Sequence, residues 1–366
     1  MSDLAAPHIL ALTAYEPGKP EDELKRELGI ESVVKLASNE NPYGPSPKAI
    51  AAVSGAALQL HRYPDPRGYE LREALAAHHS VPPEEVCLGN GSNELIDLIC
   101  RVFANRGEHA IFGHPSFPCY RIGSVAQELR FTAVPLRENL HWNVDDLLDA
   151  VRPDTKLLFV SNPNNPTGSY IANEDLARLL GSLPQHVLAV IDEAYFEYAD
   201  ASDFVPATGL RHTRERLAIL RTFSKAYGLA ALRVGYVLGS PELVAGLNRL
   251  RAPFNVNTAG QVAAKAALAD RAHLRSCVEA TIRDRTSLSE SLRALGLDVT
   301  PSQANFVLVD VRKPGRAIYE ALLLEGIIVR AMPEPLGSFI RVTVGRPEEN
   351  ARFLQSLEGV LRDSRV

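Results

Sequence analysis

At 366 residues, 46% hydrophobic and 23% charged, with a formal charge of −5, the chain has room for about two domains and a large core. The same figures exclude a disordered chain, and the acidic balance leads us to expect no nucleic-acid partner. The opening "MSDLAAPHIL" lacks the basic stretch and apolar core of a signal peptide, and charges interrupt every later apolar run before membrane-spanning length. A cytoplasmic location and no membrane partner are therefore expected. Cys87, Cys100, Cys119 and Cys277 form no CxxC pair, so buried thiols are expected rather than a zinc site or a disulfide framework.

Taken in chain order, short apolar runs end in polar or glycine-rich loops and pass into helical segments. "EEVCLGNGSNELIDLICRVF" reads as strand, turn and helix; "KLLFVSNPNNPTG" reads as strand and turn, with Asn173 as the cap of the helix that follows. "HVLAVIDEAYFEY" and "RLAILRTFSKAYG" repeat the strand-then-loop pattern. Strands apolar on both faces predict an α/β fold with a mostly parallel sheet between helices. In "GSPELVAGLNRLRAPF", Ser240 and Pro241 are a cap and a first helical residue, and this segment is expected to begin the long helix joining two domains. Beyond it, "NFVLVDV" and "SFIRVTVG" are strands of a smaller C-terminal α/β unit.

The chemistry is expected at the strand ends, because ligands of open parallel sheets collect outside the carboxyl ends of the strands. Asp192 follows "VLAVI", where an unpaired carboxylate is costly, so it calls for a cationic partner. Lys225 lies in a similar turn, and a lysine kept partly dry becomes a usable amine nucleophile. Arg233, eight residues on, suits an anion with several oxygens. Gly91, Ser92 and Asn93 open a helix whose free N–H groups favour phosphate. A cofactor with an aldehyde, a ring nitrogen and a phosphate answers all four demands together, and pyridoxal 5′-phosphate is that molecule. Lys225 would bond to the aldehyde carbon, Asp192 would keep the ring nitrogen protonated, and the turn with Arg233 would hold the phosphate. A dinucleotide-binding reading of "GNGSNE" fails because Glu94 occupies the place of the third glycine. It also leaves Lys225 and Asp192 without a role. His78, His79, His109 and His114 have no ligand spacing, so no metal site is expected.

"SNPNNPTG", "DEAYFEY" and "TFSKAYGLAALRVGY" resemble the signatures of fold-type I aminotransferases. "LTAYEPGKP", "LASNENPYGPSP", "RYPDPRGYELREALA" and "GNGSNELID" narrow the resemblance, across nearly the whole chain, to the histidinol-phosphate aminotransferases. The resemblance implies that Asn165 and Tyr195 hydrogen-bond the phenolic oxygen of the cofactor and that Phe117 stacks on its ring. It also implies that Thr222, Ser224 and Arg233 join Gly91, Ser92 and Asn93 around the phosphate. Tyr63 would reach the cofactor phosphate of a partner subunit, so the active unit would be a homodimer. Arg330 and Arg341, with Tyr15 and Asn305, would face the anionic end of the substrate. Small departures are Ala231, where relatives often carry glycine, and Phe117, which lacks a hydroxyl found in some relatives. The organisation expected is an N-terminal arm over 1–37 packing with the small domain, a large cofactor-binding domain over 38–250 and a small domain over 251–366. The reaction implied is exchange of an amino group between L-histidinol phosphate and 2-oxoglutarate, with phenylalanine or tyrosine as alternative donors.

Overall fold

The computed structural model describes residues 4–10, 12–14 and 18–362. Its strands are β1 (Val34–Lys35), β2 (Val86–Gly89), β3 (His109–His114), β4 (Arg130–Pro135), β5 (Thr155–Ser161), β6 (Leu188–Asp192) and β7 (Leu217–Thr222). They continue with β8 (Gly235–Leu238), β9 (Asp298–Thr300), β10 (Phe306–Asp310), β11 (Ile327–Ile328), β12 (Arg330–Ala331) and β13 (Phe339–Thr343). Seven of them form one sheet in the order β2-β8-β7-β6-β5-β3-β4. All its neighbours pair in parallel except at β8, which runs antiparallel to both β2 and β7.

The continuous apolar runs that marked these strands follow from burial on both faces. Along β5, Leu157 and Phe159 enter one core cluster while Leu158 and Val160 enter the other. Along β6, Leu188 and Val190 alternate in the same way with Ala189 and Ile191. Period-2 geometry thus requires apolar residues at every position when helices cover both sides.

The smaller unit has an antiparallel sheet, β12-β13-β10-β9. The "NFVLVDV" and "SFIRVTVG" strands are β10 and β13, paired from Phe306 with Thr343 to Asp310 with Phe339. β1 pairs in parallel with β11, so the segment before residue 38 is joined to this unit. Ser240 caps the helix Pro241–Leu250 by accepting from the Leu243 N–H at 3.3 Å. That helix stops at Leu250 and is not the connecting one. The 24-residue helix is Arg271–Ala294, which packs against β9, β10 and the final helix. Between them, helix Thr258–Ala269 buries Ala263, Ala264, Ala267 and Leu268 in a core of the large sheet. The division expected at 250/251 therefore precedes a helix that packs on the large unit. Asn173 is the first residue of its helix rather than the cap, a position held by Ala172.

Candidate active site

The strand-end residues converge because parallel neighbours in register end together: Ser161 of β5 is aligned with Asp192 of β6, and Asp192 with Leu220 of β7. Asp192 is 3% exposed. Its Oδ2 accepts from the Tyr120 hydroxyl at 2.8 Å and its Oδ1 from the Ala194 N–H at 3.2 Å. Both donors are neutral, and burial pushes the carboxyl up from 3.8 to about 6. A cation placed against this carboxylate restores its ionised form, which is what a protonated ring nitrogen provides. Tyr120 is itself fully buried, stacked on Phe159 at 5.0 Å.

Lys225 stands partly buried in the turn after β7 and donates from Nζ to the Ser38 carbonyl at 3.1 Å. Burial first, and then the nearby Arg341, lower its amine from 10.5 to about 8, against the opposing pull of Glu40. Such an amine is neutral in a useful fraction near physiological pH. The Tyr195 hydroxyl accepts from Asn39 Nδ2 at 3.0 Å and from Asn165 Nδ2 at 3.3 Å. Asn165 Oδ1 in turn accepts from Arg341, whose other Nη donates to the Ala37 carbonyl at 2.8 Å. The Arg341 guanidinium also lies over the Phe306 ring, 5.3 Å from its centre, and Phe306 meets Tyr195 edge-on.

The second group gathers at the start of helix Ser92–Phe103, whose cap, Gly91, supplies no side chain. Gly91 has φ +78°, and a Cβ there would lie 2.6 Å from Arg233 Nη2. Glycine thus lets the guanidinium lie directly on an uncapped helix start, where N–H groups point outward. Gly235 allows the same approach from β8, since its Cβ would lie 2.5 Å from the Ser92 nitrogen. Arg233 Nη1 donates to Ser224 Oγ at 3.3 Å, and the Ser224 N–H donates to Thr222 Oγ1 at 3.1 Å. Guanidinium, hydroxyls and free amides form a cradle with the donor chemistry of a phosphate site. Taken with the low-pKa amine and the buried carboxyl, these residues fit pyridoxal 5′-phosphate.

Behind the site, Glu193 and Arg221 make a buried ion pair at 2.7 Å that ties the ends of β6 and β7 together. Arg330 of β12 is directly opposite Arg341 of β13. Directly opposed residues share a sheet face, so two guanidinium stems rise side by side.

Not every expected residue joins these clusters. Phe117 precedes helix Pro118–Ala126 and lies edge-on to Tyr120 at 5.8 Å. The side chain of Asn93 is exposed, so its backbone N–H is what it offers to an anion. Asn305 is fully buried, and its amide donates to the Asn39 and Glu40 carbonyls. Tyr63 is 81% exposed and stacked on Phe254. Tyr15 lies outside the described residues. Sequence reasoning missed Tyr120 and Asn39, although Asn39 lies inside "LASNENPYGPSP" and Tyr120 stands three residues after Phe117. Among the described residues, no cluster of three or more His, Cys, Asp or Glu could hold a metal, and no helix is long and apolar enough to cross a membrane.

Comparison with known proteins bears on the chain as a whole. The pattern of aminotransferase class I and II matches residues 31–357. A histidinol-phosphate aminotransferase of an Anaeromyxobacter species is 44% identical over 360 residues, covering 98% of this chain and 99% of the relative. Histidinol-phosphate aminotransferase 2 of Pseudomonas aeruginosa is 44% identical, with 99% of each chain covered. The crystal structure of histidinol-phosphate aminotransferase from Sinorhizobium meliloti in complex with pyridoxal-5′-phosphate superimposes with a TM-score of 0.90 at 30% identity, covering 98% of both chains. With a fold-type I architecture, an amine, a carboxyl and a cluster of guanidinium, hydroxyl and amide donors at its strand ends, and similarity running nearly end to end, this chain belongs to the aminotransferase class I and II family.

Proposed function

We propose that this protein uses pyridoxal 5′-phosphate to transfer the amino group of L-histidinol phosphate to 2-oxoglutarate, giving imidazole acetol phosphate and L-glutamate in histidine biosynthesis. The bound cofactor supplies an aldehyde for the amino group and a protonated ring that absorbs the negative charge developed on the substrate's alpha carbon. The protein's own residues do the rest. Lys225, with its amine lowered to about 8, carries the proton away from the alpha carbon and returns it. Asp192, held by Tyr120 and Ala194, keeps a proton on the ring nitrogen. The Gly91–Asn93 turn, with Thr222, Ser224 and Arg233, holds the cofactor phosphate, and Phe117 packs on the ring. Asn165 and Tyr195 serve the phenolic oxygen. Two half-reactions share one site, so the kinetics are ping-pong.

The observation that carries the substrate assignment is the register of β12 and β13, which sets Arg330 directly across from Arg341. Like charges directly opposed on a strand pair are destabilising. A dianionic phosphate answers two guanidinium groups better than a carboxylate does. Asn305 serves the same end of the site by holding the 39–40 backbone; Tyr15, outside the described residues, is proposed as a further substrate contact.

Homodimerisation is part of the proposal. Leu58, Leu60, Tyr63 and Tyr69 are 86%, 65%, 81% and 63% exposed within one short stretch, with Phe254 stacked on Tyr63. Such a patch suits a subunit interface, from which Tyr63 reaches the partner's cofactor phosphate. A cytoplasmic location accompanies this biosynthetic role.

The test is a spectral titration of the holoenzyme with L-histidinol phosphate and, separately, with L-phenylalanine. The cofactor's visible band should be lost at much lower concentrations of histidinol phosphate. Equal or better conversion by phenylalanine would make the protein an aromatic aminotransferase and overturn the paired-arginine argument.

A further inference from the structure

We propose that Asn39 is a positioning residue for the reaction: its amide occupies the Tyr195 oxygen so that the hydroxyl proton points into the site, and Thr343 of the small unit holds that amide in place. This rests on the reading of Tyr195 as a partner of the cofactor's phenolic oxygen. Asn39 is 1% exposed and adopts φ +54°, a left-handed conformation that asparagine tolerates better than most residues. Its backbone N–H donates to Thr343 Oγ1 at 2.9 Å, and the same hydroxyl donates to Asn39 Oδ1 at 3.2 Å. With its oxygen claimed by Thr343, the amide can present only Nδ2 to Tyr195, 3.0 Å away. Asn165 Nδ2 approaches the same oxygen at 3.3 Å. Two N–H donors fill the acceptor positions of the phenol, so its single proton is directed elsewhere. Asn305 secures the arrangement from below by donating to the Asn39 carbonyl at 3.1 Å.

Thr343 and Arg341 are two residues apart on β13 and therefore share a face. One strand of the small unit thus carries both the guanidinium that receives the substrate and the hydroxyl that aims Tyr195. The position of this strand sets the two together.

The test follows the visible band of the holoenzyme through a pH titration, a readout independent of turnover. A hydroxyl donating to the cofactor's phenolic oxygen favours the deprotonated chromophore and keeps the titration midpoint low. Asn39→Gly, which tolerates the left-handed backbone, should raise the midpoint by about 0.5 to 1 pH unit, the size of one ordinary hydrogen bond. Thr343→Val should raise it in the same direction, and Thr343→Ser should restore it. In a Tyr195→Phe background, Asn39→Gly should cause no further shift. The charged groups acting on Lys225, namely Arg341, Glu40, Arg233 and Asp192, are the same in every variant. An unmoved midpoint in both Asn39→Gly and Thr343→Val, or an equal shift with and without the Tyr195 hydroxyl, overturns the proposal. If Asn39→Gly does not fold, the Thr343 pair decides alone. Failure of the unaltered protein to develop a visible band with pyridoxal phosphate would instead overturn the functional reading and take this inference with it.

Discussion

Asp192 and Lys225 are displaced from their ordinary ionisation in opposite senses for the same reason, since burial penalises whichever form is charged. The Asp192 carboxyl rises from 3.8 to about 6, so between those values the folded protein holds a proton that the unfolded chain releases. The stability of the cofactor-free protein therefore falls as pH rises through that window, and the whole penalty is present above it. Asp192→Asn removes the penalty. Thermal unfolding of the cofactor-free variant at pH 8 should show a gain of about 2 kcal/mol over the parent that closes by pH 4, while turnover drops at least tenfold. Equal melting at pH 8 would contradict a strained carboxylate. The Lys225 amine falls from 10.5 to about 8, so the unfolded chain holds the extra proton between those values and stability rises with pH there. Lys225→Ala should still take up the cofactor, seen as a spectral change, yet lose about a thousandfold or more in steady turnover. Near-normal turnover would refute its assignment as proton carrier.

At the scale of elements, the cradle proposed for the cofactor phosphate depends on how closely β8 approaches the start of helix Ser92–Phe103. A Cβ on Gly235 would stand 2.5 Å from the Ser92 nitrogen and 2.7 Å from the Gly91 carbonyl carbon, both backbone atoms with no freedom to swing aside. Gly235→Ala must therefore separate strand from helix. We expect an increase of about tenfold or more in the dissociation constant for pyridoxal phosphate, measured by fluorescence titration, with a stability loss of about 1–3 kcal/mol. Unchanged cofactor affinity would mean that the cradle does not need this approach. The strand-turn-helix pattern of "GNGSN" was legible in the sequence because glycine and an uncapped helix start have local signatures. The part played by Gly235 was not, because β8 meets that turn only through sheet pairing with β2.

For the whole molecule, Leu58, Leu60, Tyr63 and Tyr69 stand exposed within one short stretch, and in the proposed homodimer a second copy would cover them. Light scattering should give about twice the 39.9 kDa chain mass, and Leu60→Glu should shift the protein towards monomer and reduce turnover if Tyr63 serves the partner's site. A fully active monomer would remove Tyr63 from the cofactor residues. The cores show a second effect at this scale. Helix Thr258–Ala269 packs into the core of the large unit, whereas the chain before residue 38 pairs with the small unit through β1 and β11. No linker composition marks either exchange.

By itself, the amino-acid sequence determined the α/β class, the order of strands and helices and the chemical cast at the strand ends. Apolar runs, caps and glycine turns express constraints within a few residues of each other, and Lys225, Asp192 and Arg233 carry their chemistry in their side chains. Only the tertiary structure decided which of these groups meet. Asn39 reaches Thr343 across 304 positions, Tyr120 reaches Asp192 across 72, and Arg330 faces Arg341 through strand register. Side-chain type is a local property, but a hydrogen-bond partner brought by folding from a distant segment leaves no mark at either end of the chain.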